Sequence, residues 1–384
     1  MKTLLSILLL AVAVMVFINV WSYADSSNIE DRNREQYGGD SSVVDITTPP
    51  ETTEAEITTE KVVTEKEPTA YARAKLFFGG DINLDPEYSA SERYINGDEN
   101  IKNCFSTTIL GLVRDADMFM VGNVFAFTDN ADPIDKVYTF RTEKKHAQFL
   151  DDLGVDVVSL ANNHSFDYSV AGYVDTVDAL DDLGIVSVGA GFNVADAAKP
   201  YYANINGITV AFTAAMRSEK YIDTPEASAT SAGVMKMYDI EAYANVIREA
   251  KANADFVIAY VHWGTENTIT LEDEQIEGAK ALIDAGADAV IGAHSHTVQP
   301  IEIYKGKPIF YSLGDMFSTE DNKESGLVRL IIDSNGNLEA SFIPCESIGG
   351  YVDIASEDTS RALFGRLNES DTISLSNNGS IAEK

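Results

Sequence analysis

From Lys75 onward, short runs of β-branched and aromatic residues alternate with amphipathic stretches. Leu76-Phe77-Phe78, Met118-Phe119-Met120-Val121, Val155 to Leu160, Phe256 to Val261 and Ala289-Val290-Ile291 have the length and composition of buried strands. Between them Val170, Tyr173, Val174, Val177 and Leu180 recur at helical spacing, as do Ile276, Ala279 and Ile283. Leu153-Gly154, Leu183-Gly184 and Ala285-Gly286 sit where a glycine would end a helix and turn the chain toward the next strand. The pattern predicts an α/β body. Beyond Ile309 strands dominate, with a hairpin predicted at Ser334-Asn335-Gly336-Asn337 between Leu327–Ile332 and Leu338–Ile343. No repeat at a solenoid period is visible.

The ends follow a different pattern. Residues 1–24 run apolar from Leu4 to Trp21 behind the lone positive charge of Lys2, which predicts a signal peptide or an uncleaved membrane anchor. The anchor is the favoured reading, although Ser22-Tyr23-Ala24 resembles a cleavage site. Either way the charge ahead of the apolar run orients the rest of the chain outside the cytoplasm. Residues 25–72, with the repetitive Glu51-Thr52-Thr53-Glu54 stretch, hold too few apolar side chains to offset the entropy of ordering and read as an acidic, disordered tether. Residues 73–350 form the expected folded domain. Residues 351–384 are a C-terminal extension, expected to fray after Leu375.

Composition narrows the possibilities. With 45% hydrophobic and 23% charged residues among 384, the chain can bury a large core. Its 28 Lys and Arg against 61 Asp and Glu give a formal charge of −33, which repels polyanions and excludes a nucleic-acid partner. Cys104 and Cys345 allow one bridge at most and read as two buried thiols.

Ligand-type side chains gather at the ends of the strand-like runs, where open α/β sheets place their sites. Gly79-Gly80-Asp81-Ile82-Asn83 follows the first run. Ala161-Asn162-Asn163-His164, with Asp167, follows another. His262-Trp263-Gly264 and Gly292-Ala293-His294-Ser295-His296 complete the set, which holds four of the five histidines. On an extended segment His294 and His296 would point the same way, each toward one ion of a pair, while Asp81, Asn163 and His262 add oxygen and nitrogen. Two ions roughly 3.5–4 Å apart can clamp a phosphoryl group and activate water. His164 is the candidate proton donor, with Asp167 to fix its ring. Taken singly, an Asp after glycine is usually a turn residue and a lone histidine usually a packed one; the recurrence at strand ends favours a site. His146, in Glu143-Lys144-Lys145-His146, reads as the exposed face of a helix and receives no role. Trp263 reads as a sugar platform or a wall of the site. No Gly-x-Ser-x-Gly elbow occurs, and Gly189-Ala190-Gly191 lacks the later glycine of a dinucleotide fingerprint.

With Ala116-Asp117, Tyr138-Thr139-Phe140-Arg141, Ser159 to Tyr168, and Tyr311-Ser312-Leu313-Gly314-Asp315, these motifs resemble the CapA capsule-synthesis family of the calcineurin-like metallophosphoesterases over about residues 74–345. The resemblance implies a four-layer α/β/β/α sandwich and one or two divalent ions, of manganese, iron, zinc or magnesium. It also implies a role in making or anchoring poly-γ-glutamate or a related capsular polymer, in contact with capsule-assembly proteins or acting on a phosphoester. Asp81, Asn163, His262, His294 and His296 match metal ligands, and His164 the catalytic histidine.

Two positions depart from the family pattern. Asn83 stands where the wider superfamily has a histidine, and Asn123-Val124-Phe125 puts Phe125 where a bridging glutamate is expected. Losing that charge between two cations should weaken at least one of them. Asp129, four residues on, would substitute only if its loop folds back. Two readings remain open: a surface-anchored metal-dependent hydrolase or transferase, and a catalytically impaired envelope module that binds polymer or an assembly partner.

Overall fold

The computed structural model describes residues 71–217, 223–318 and 323–384. The expected N-terminal anchor, and the tether up to residue 70, lie outside the described residues. Each apolar run becomes a strand, and most amphipathic stretches become the helices between them. The chain runs through β1 (Arg73–Ile82), α1 (Ser89–Ile95), α2 (Thr107–Arg114), β2 (Met118–Asn123), α3 (Gln148–Leu153), β3 (Val157–Ser159), α4 (Ser169–Asp181) and β4 (Val186–Val188). It continues through β5 (Tyr201–Ile205), β6 (Ile208–Arg217), α5 (Ile240–Asn253), β7 (Phe256–Trp263), α6 (Asp273–Ala285), β8 (Ala289–Ala293), β9 (Ile301–Tyr304) and β10 (Lys307–Phe310). The remainder is β11 (Asp315–Phe317), β12 (Lys323–Asp333), β13 (Leu338–Ile348), β14 (Tyr351–Ile354), α7 (Glu357–Leu367), β15 (Ile373–Leu375) and β16 (Ile381–Glu383).

Two mixed sheets result. The first has the order β14-β13-β12-β1-β2-β3-β4, with β11 added beside β1; the second has the order β9-β10-β8-β7-β6-β5. Strand alternation sorts their side chains. On the second sheet Phe212, Ile258 and Tyr260 face inward to the core shared with β1, while Ala211, Val257, Ala259 and Val261 face Tyr243 and Ile247 of α5 and Leu282 of α6. The sheets meet where the rings of Phe78 and Phe212 lie 6.4 Å apart and where the Tyr260 hydroxyl donates to the Gly79 carbonyl at 3.0 Å. On the far side of the first sheet, Phe149 of α3 packs between Tyr94 and Phe317. Each buried phenylalanine contributes roughly 1.5–3 kcal/mol. The layers are therefore helix, sheet, sheet, helix, the four-layer α/β/β/α sandwich expected.

The glycine stops perform as predicted: Gly154, Gly184 and Gly286 have φ of 95°, 74° and 119°. The hairpin also forms, with Ile332 opposite Leu338 and Asp333 accepting from Asn335 and Asn337. The C-terminal stretch does not fray. β15 and β16 pair with each other, Phe342 donates its N–H to the Gly379 carbonyl at 2.9 Å, and Leu363 and Leu367 of α7 are buried. The Ser and Asn residues that read as solvated tail build the turn, where Asn378 accepts from Ser380 N–H. His146 also differs from expectation. Lys144–Ala147 is a 3₁₀ turn, and its His146 is buried against Tyr94, with Nδ1 on the Thr142 hydroxyl at 2.8 Å and Nε2 on Glu99 at 3.2 Å. The flanking lysines gave the false impression of an exposed face. Among the described residues no helix is long and apolar enough to cross a membrane.

Cys104 and Cys345 are free and buried, and burial pushes both thiols up to about 12. A disulfide-exchange reagent near neutral pH is therefore expected to modify neither in the native protein and both after denaturation. Rapid native reaction at either one would show that the core around it opens.

Candidate metal and proton-transfer site

Six of the seven residues singled out from sequence, Asp81, Asn163, His164, His262, His294 and His296, line one cavity of about 600 Å³. Asp167, the seventh, lies directly behind His164. The convergence follows from topology. Asp81 lies near the end of β1, Asn163 and His164 come just after β3, His262 near the end of β7, and His294 directly after β8, so the parallel strands of both sheets deliver their C-terminal ends to the same edge.

Close backbone contacts hold this edge. A Cβ on Gly122 would sit 2.3 Å from Asp81 Oδ1, so only glycine leaves room for the carboxylate. The segment after β8 is not extended. His294 and His296 adopt φ of 92° and 58°, a left-handed conformation that costs about 1–3 kcal/mol per non-glycine residue and recurs at functional sites. The bend still brings the rings of His262 and His294 to 4.4 Å and those of His294 and His296 to 6.2 Å.

The polar contacts separate into two groups. Asp81 Oδ2 accepts the His294 N–H at 2.9 Å, while its Oδ1 is buried without a hydrogen-bond partner, 3.6 Å from His262 Nδ1. His262 Nε2 meets Asn163 Oδ1 at 2.9 Å. Burial, reinforced by the charges of His164 and His296, holds His262 well below its ordinary pKa, so the ring is neutral. Its one proton goes to Asn163, which leaves the Nδ1 lone pair facing the unpaired Asp81 oxygen. Burial, then repulsion from Asp315, raises Asp81 to about 7. In the second group His164 Nδ1 meets Asp167 Oδ2 at 2.7 Å, which leaves Nε2 as the nitrogen available to the cavity. Burial lowers the His164 pKa against the opposing pull of Asp167. The Phe140 ring lies 4.4 Å from the imidazole, and its N–H binds Asp167 Oδ2 at 2.9 Å.

Two residues of the site received no role in the sequence reading. Lys136, almost buried, places Nζ 2.6 Å from both Asp167 Oδ1 and the Asn163 carbonyl. It stands alone in an irregular loop, and no spacing marked it. Asp315 lines the cavity with Nδ1 of His296 at 2.8 Å from its Oδ1. Burial alone would lower His296, but the charge and hydrogen bond of Asp315 outweigh it and raise the ring to about 9. Asp315 follows the run Ile309-Phe310-Tyr311, so the strand-end criterion that found the others also pointed to it.

The departures are visible too. Asn83 lines the cavity, but its side-chain oxygen accepts the Asp85 N–H at 2.9 Å. Phe125 is fully buried edge-on against Phe127 and takes no part in the cavity wall, which Val124 supplies at this point. Asp129 does not fold back to the cavity; it faces the Lys144 N–H instead. Trp263 is neither sugar platform nor wall: it points to the helical side of its sheet, with Nε1 on the Tyr311 carbonyl.

Among the described residues no three His, Cys, Asp or Glu side chains already stand in ligating geometry. The donor set nevertheless fits a divalent cation. It combines imidazole nitrogen with carboxylate and amide oxygen, and a cation between Asp81 Oδ1 and His262 Nδ1 would satisfy two atoms that face each other at 3.6 Å without a hydrogen bond.

Residues 75–320 match the family described as bacterial capsule synthesis protein PGA_cap. The chain belongs to that family. It is similar to the PGA biosynthesis protein CapA of Bacillus subtilis (strain 168), 36% identical over 232 residues, covering 58% of this chain and 59% of that protein. The capsule biosynthesis protein CapA of Bacillus anthracis is 31% identical over 224 residues, covering 56% and 53%. The match thus spans little more than half the length of either relative. Among solved structures, the Haemophilus influenzae NAD nucleotidase NadN aligns with a TM-score of 0.44 at 13% identity over 80% of this chain and 65% of its own. A likeness this low carries no inference about activity.

Proposed function

We propose that this protein acts in making or anchoring a bacterial capsular polymer, poly-γ-glutamate or a related anionic chain, through a metal-dependent hydrolytic or transfer step in the cavity. Family membership and the capsule and PGA biosynthesis roles of the Bacillus relatives support the capsule assignment. One observation carries the chemistry: the unpaired Asp81 Oδ1 faces the His262 Nδ1 lone pair inside a cavity that also presents His164. Asp81, Asn163, His262, His294 and His296 would hold one or two divalent ions, which would supply Lewis-acid charge to a phosphoryl or carbonyl oxygen.

The chain's own residues do the rest. Asp167 fixes the His164 tautomer, so that Nε2 exchanges a proton with a leaving or attacking oxygen. Lys136 balances the Asp167 charge behind it. Asp223 and Glu266 add negative charge to the lining, so an anionic substrate would gain nothing from steering by the protein and would be held through cations. The N-terminal apolar segment supports attachment to the outer face of the cell membrane, or secretion if it is cleaved.

Elemental analysis and Mn²⁺ titration of the full chain test this reading. The wild type is expected to hold one or two divalent ions. Asp81→Asn should weaken binding by more than the roughly 10- to 100-fold that loss of an outer partner costs. A metal-free wild type that takes up no Mn²⁺ would remove the mechanism. Phe125 favours a second reading, in which the protein binds polymer or a capsule-assembly protein without turnover.

A further inference from the structure

Asp315 joins the cavity by an arrangement that the motif reading did not use. β11 runs parallel to β1, with Asp81 and Asp315 as register partners, so the two acids lie on adjacent strands and both line the cavity. They are 2% and 3% exposed. Adjacent strands lie about 4.8 Å apart, and two carboxylates held near that spacing out of water repel strongly unless positive charge lies between them. His296 meets part of that demand through Nδ1 on Asp315 Oδ1 at 2.8 Å, which leaves Asp81 Oδ1 still unpartnered. The expected acid at position 125 is a phenylalanine buried outside the cavity wall.

We propose that Asp315 compensates for Phe125: it supplies the second carboxylate of the cation site and, through Nδ1, orients His296 so that Nε2 serves as its ligating nitrogen. The assignment rests on the divalent-cation reading of the same cavity. It differs from that reading in naming β11, and not the end of β2, as the source of the compensating charge. Carboxylate–imidazole pairs of this kind fix the ring and raise its basicity toward a metal.

The test is Mn²⁺ titration by calorimetry on the full chain, comparing wild type, Asp315→Asn and Asp315→Glu, with circular dichroism to confirm folding. Asp315→Asn keeps the shape and removes the charge, so affinity is expected to fall about 10- to 100-fold. Asp315→Glu keeps the charge but displaces it and should fall between the two. If the wild type binds Mn²⁺ and both variants match it, the Asp315 assignment is overturned while the cation reading stands. If the wild type binds no Mn²⁺, the cation reading itself fails and the assignment falls with it. Should Asp315→Asn not fold, the comparison of Asp315→Glu with wild type decides, and equal affinity overturns the proposal.

Discussion

Gly80→Ala is expected to destabilise the protein by about 3 kcal/mol or more, a fall in Tm of roughly 4 °C or more for a body of this size. An added Cβ would lie 1.7 Å from the carbonyl oxygen of Gly314, a backbone atom that cannot rotate away as a side chain could. The contact is also part of the site, because Asp81 donates its N–H to the same carbonyl and Asp315 follows it in the chain. Relief of the clash must therefore pull β1 and β11 apart and separate Asp81 from Asp315. Gly111→Ala is the control. Gly111 is exposed in α2 with nothing within 4 Å of its added Cβ, so alanine should be neutral or stabilise by up to about 1 kcal/mol through helix propensity. Urea unfolding of both variants measures the contrast. A Gly80→Ala protein as stable as the wild type would mean that the two strands do not approach as described.

The same close approach shows what could and could not be read in advance. Alternating apolar runs, glycine stops and the Asn335-Gly336 turn are local signals. They located the principal strands, the helix ends and the hairpin, because period and turn chemistry are written over a few neighbouring residues. Site residues at strand ends were legible for the same reason: the topology of parallel strands gathers their ends without further information. Contacts set by the tertiary fold were not legible. Nothing near Lys136 in sequence marks it as the partner of Asp167, 31 residues away. His146 looked solvated because its neighbours are lysines, yet a 3₁₀ turn rotates it into the core beside Tyr94. The Ser- and Asn-rich end looked disordered by composition, but its backbone is held by Phe342 on β13. The left-handed bend at His294 and His296 likewise departs from the extended geometry that their spacing predicted.

His164→Ala should separate the two functional readings more sharply than any change at the cation ligands. If the cavity turns over substrate, loss of this imidazole is expected to lower the rate by about 10²- to 10⁴-fold, the usual contribution of a positioned proton donor. Mn²⁺ affinity should stay close to wild type, because His164 bonds to Asp167 and not to Asp81 or His262. The fold should also survive. With the ring gone, Asp167 keeps Lys136 Nζ at 2.6 Å and the Phe140 N–H at 2.9 Å, so no buried charge is left alone. Asp167→Asn is the poorer probe: it would strand the nearly buried Lys136 ammonium, and breaking such a pair from one side costs roughly 3–5 kcal/mol. The measurement pairs metal-stimulated cleavage of a generic phosphoester or poly-γ-glutamate with capsule formation in cells carrying the variant. Turnover equal to that of an active wild type would remove His164 from the chemistry. A full capsule from His164→Ala, beside a wild type without measurable turnover, would select the binding module, in which the cavity holds polymer and the loss of an acid at position 125 has no catalytic consequence.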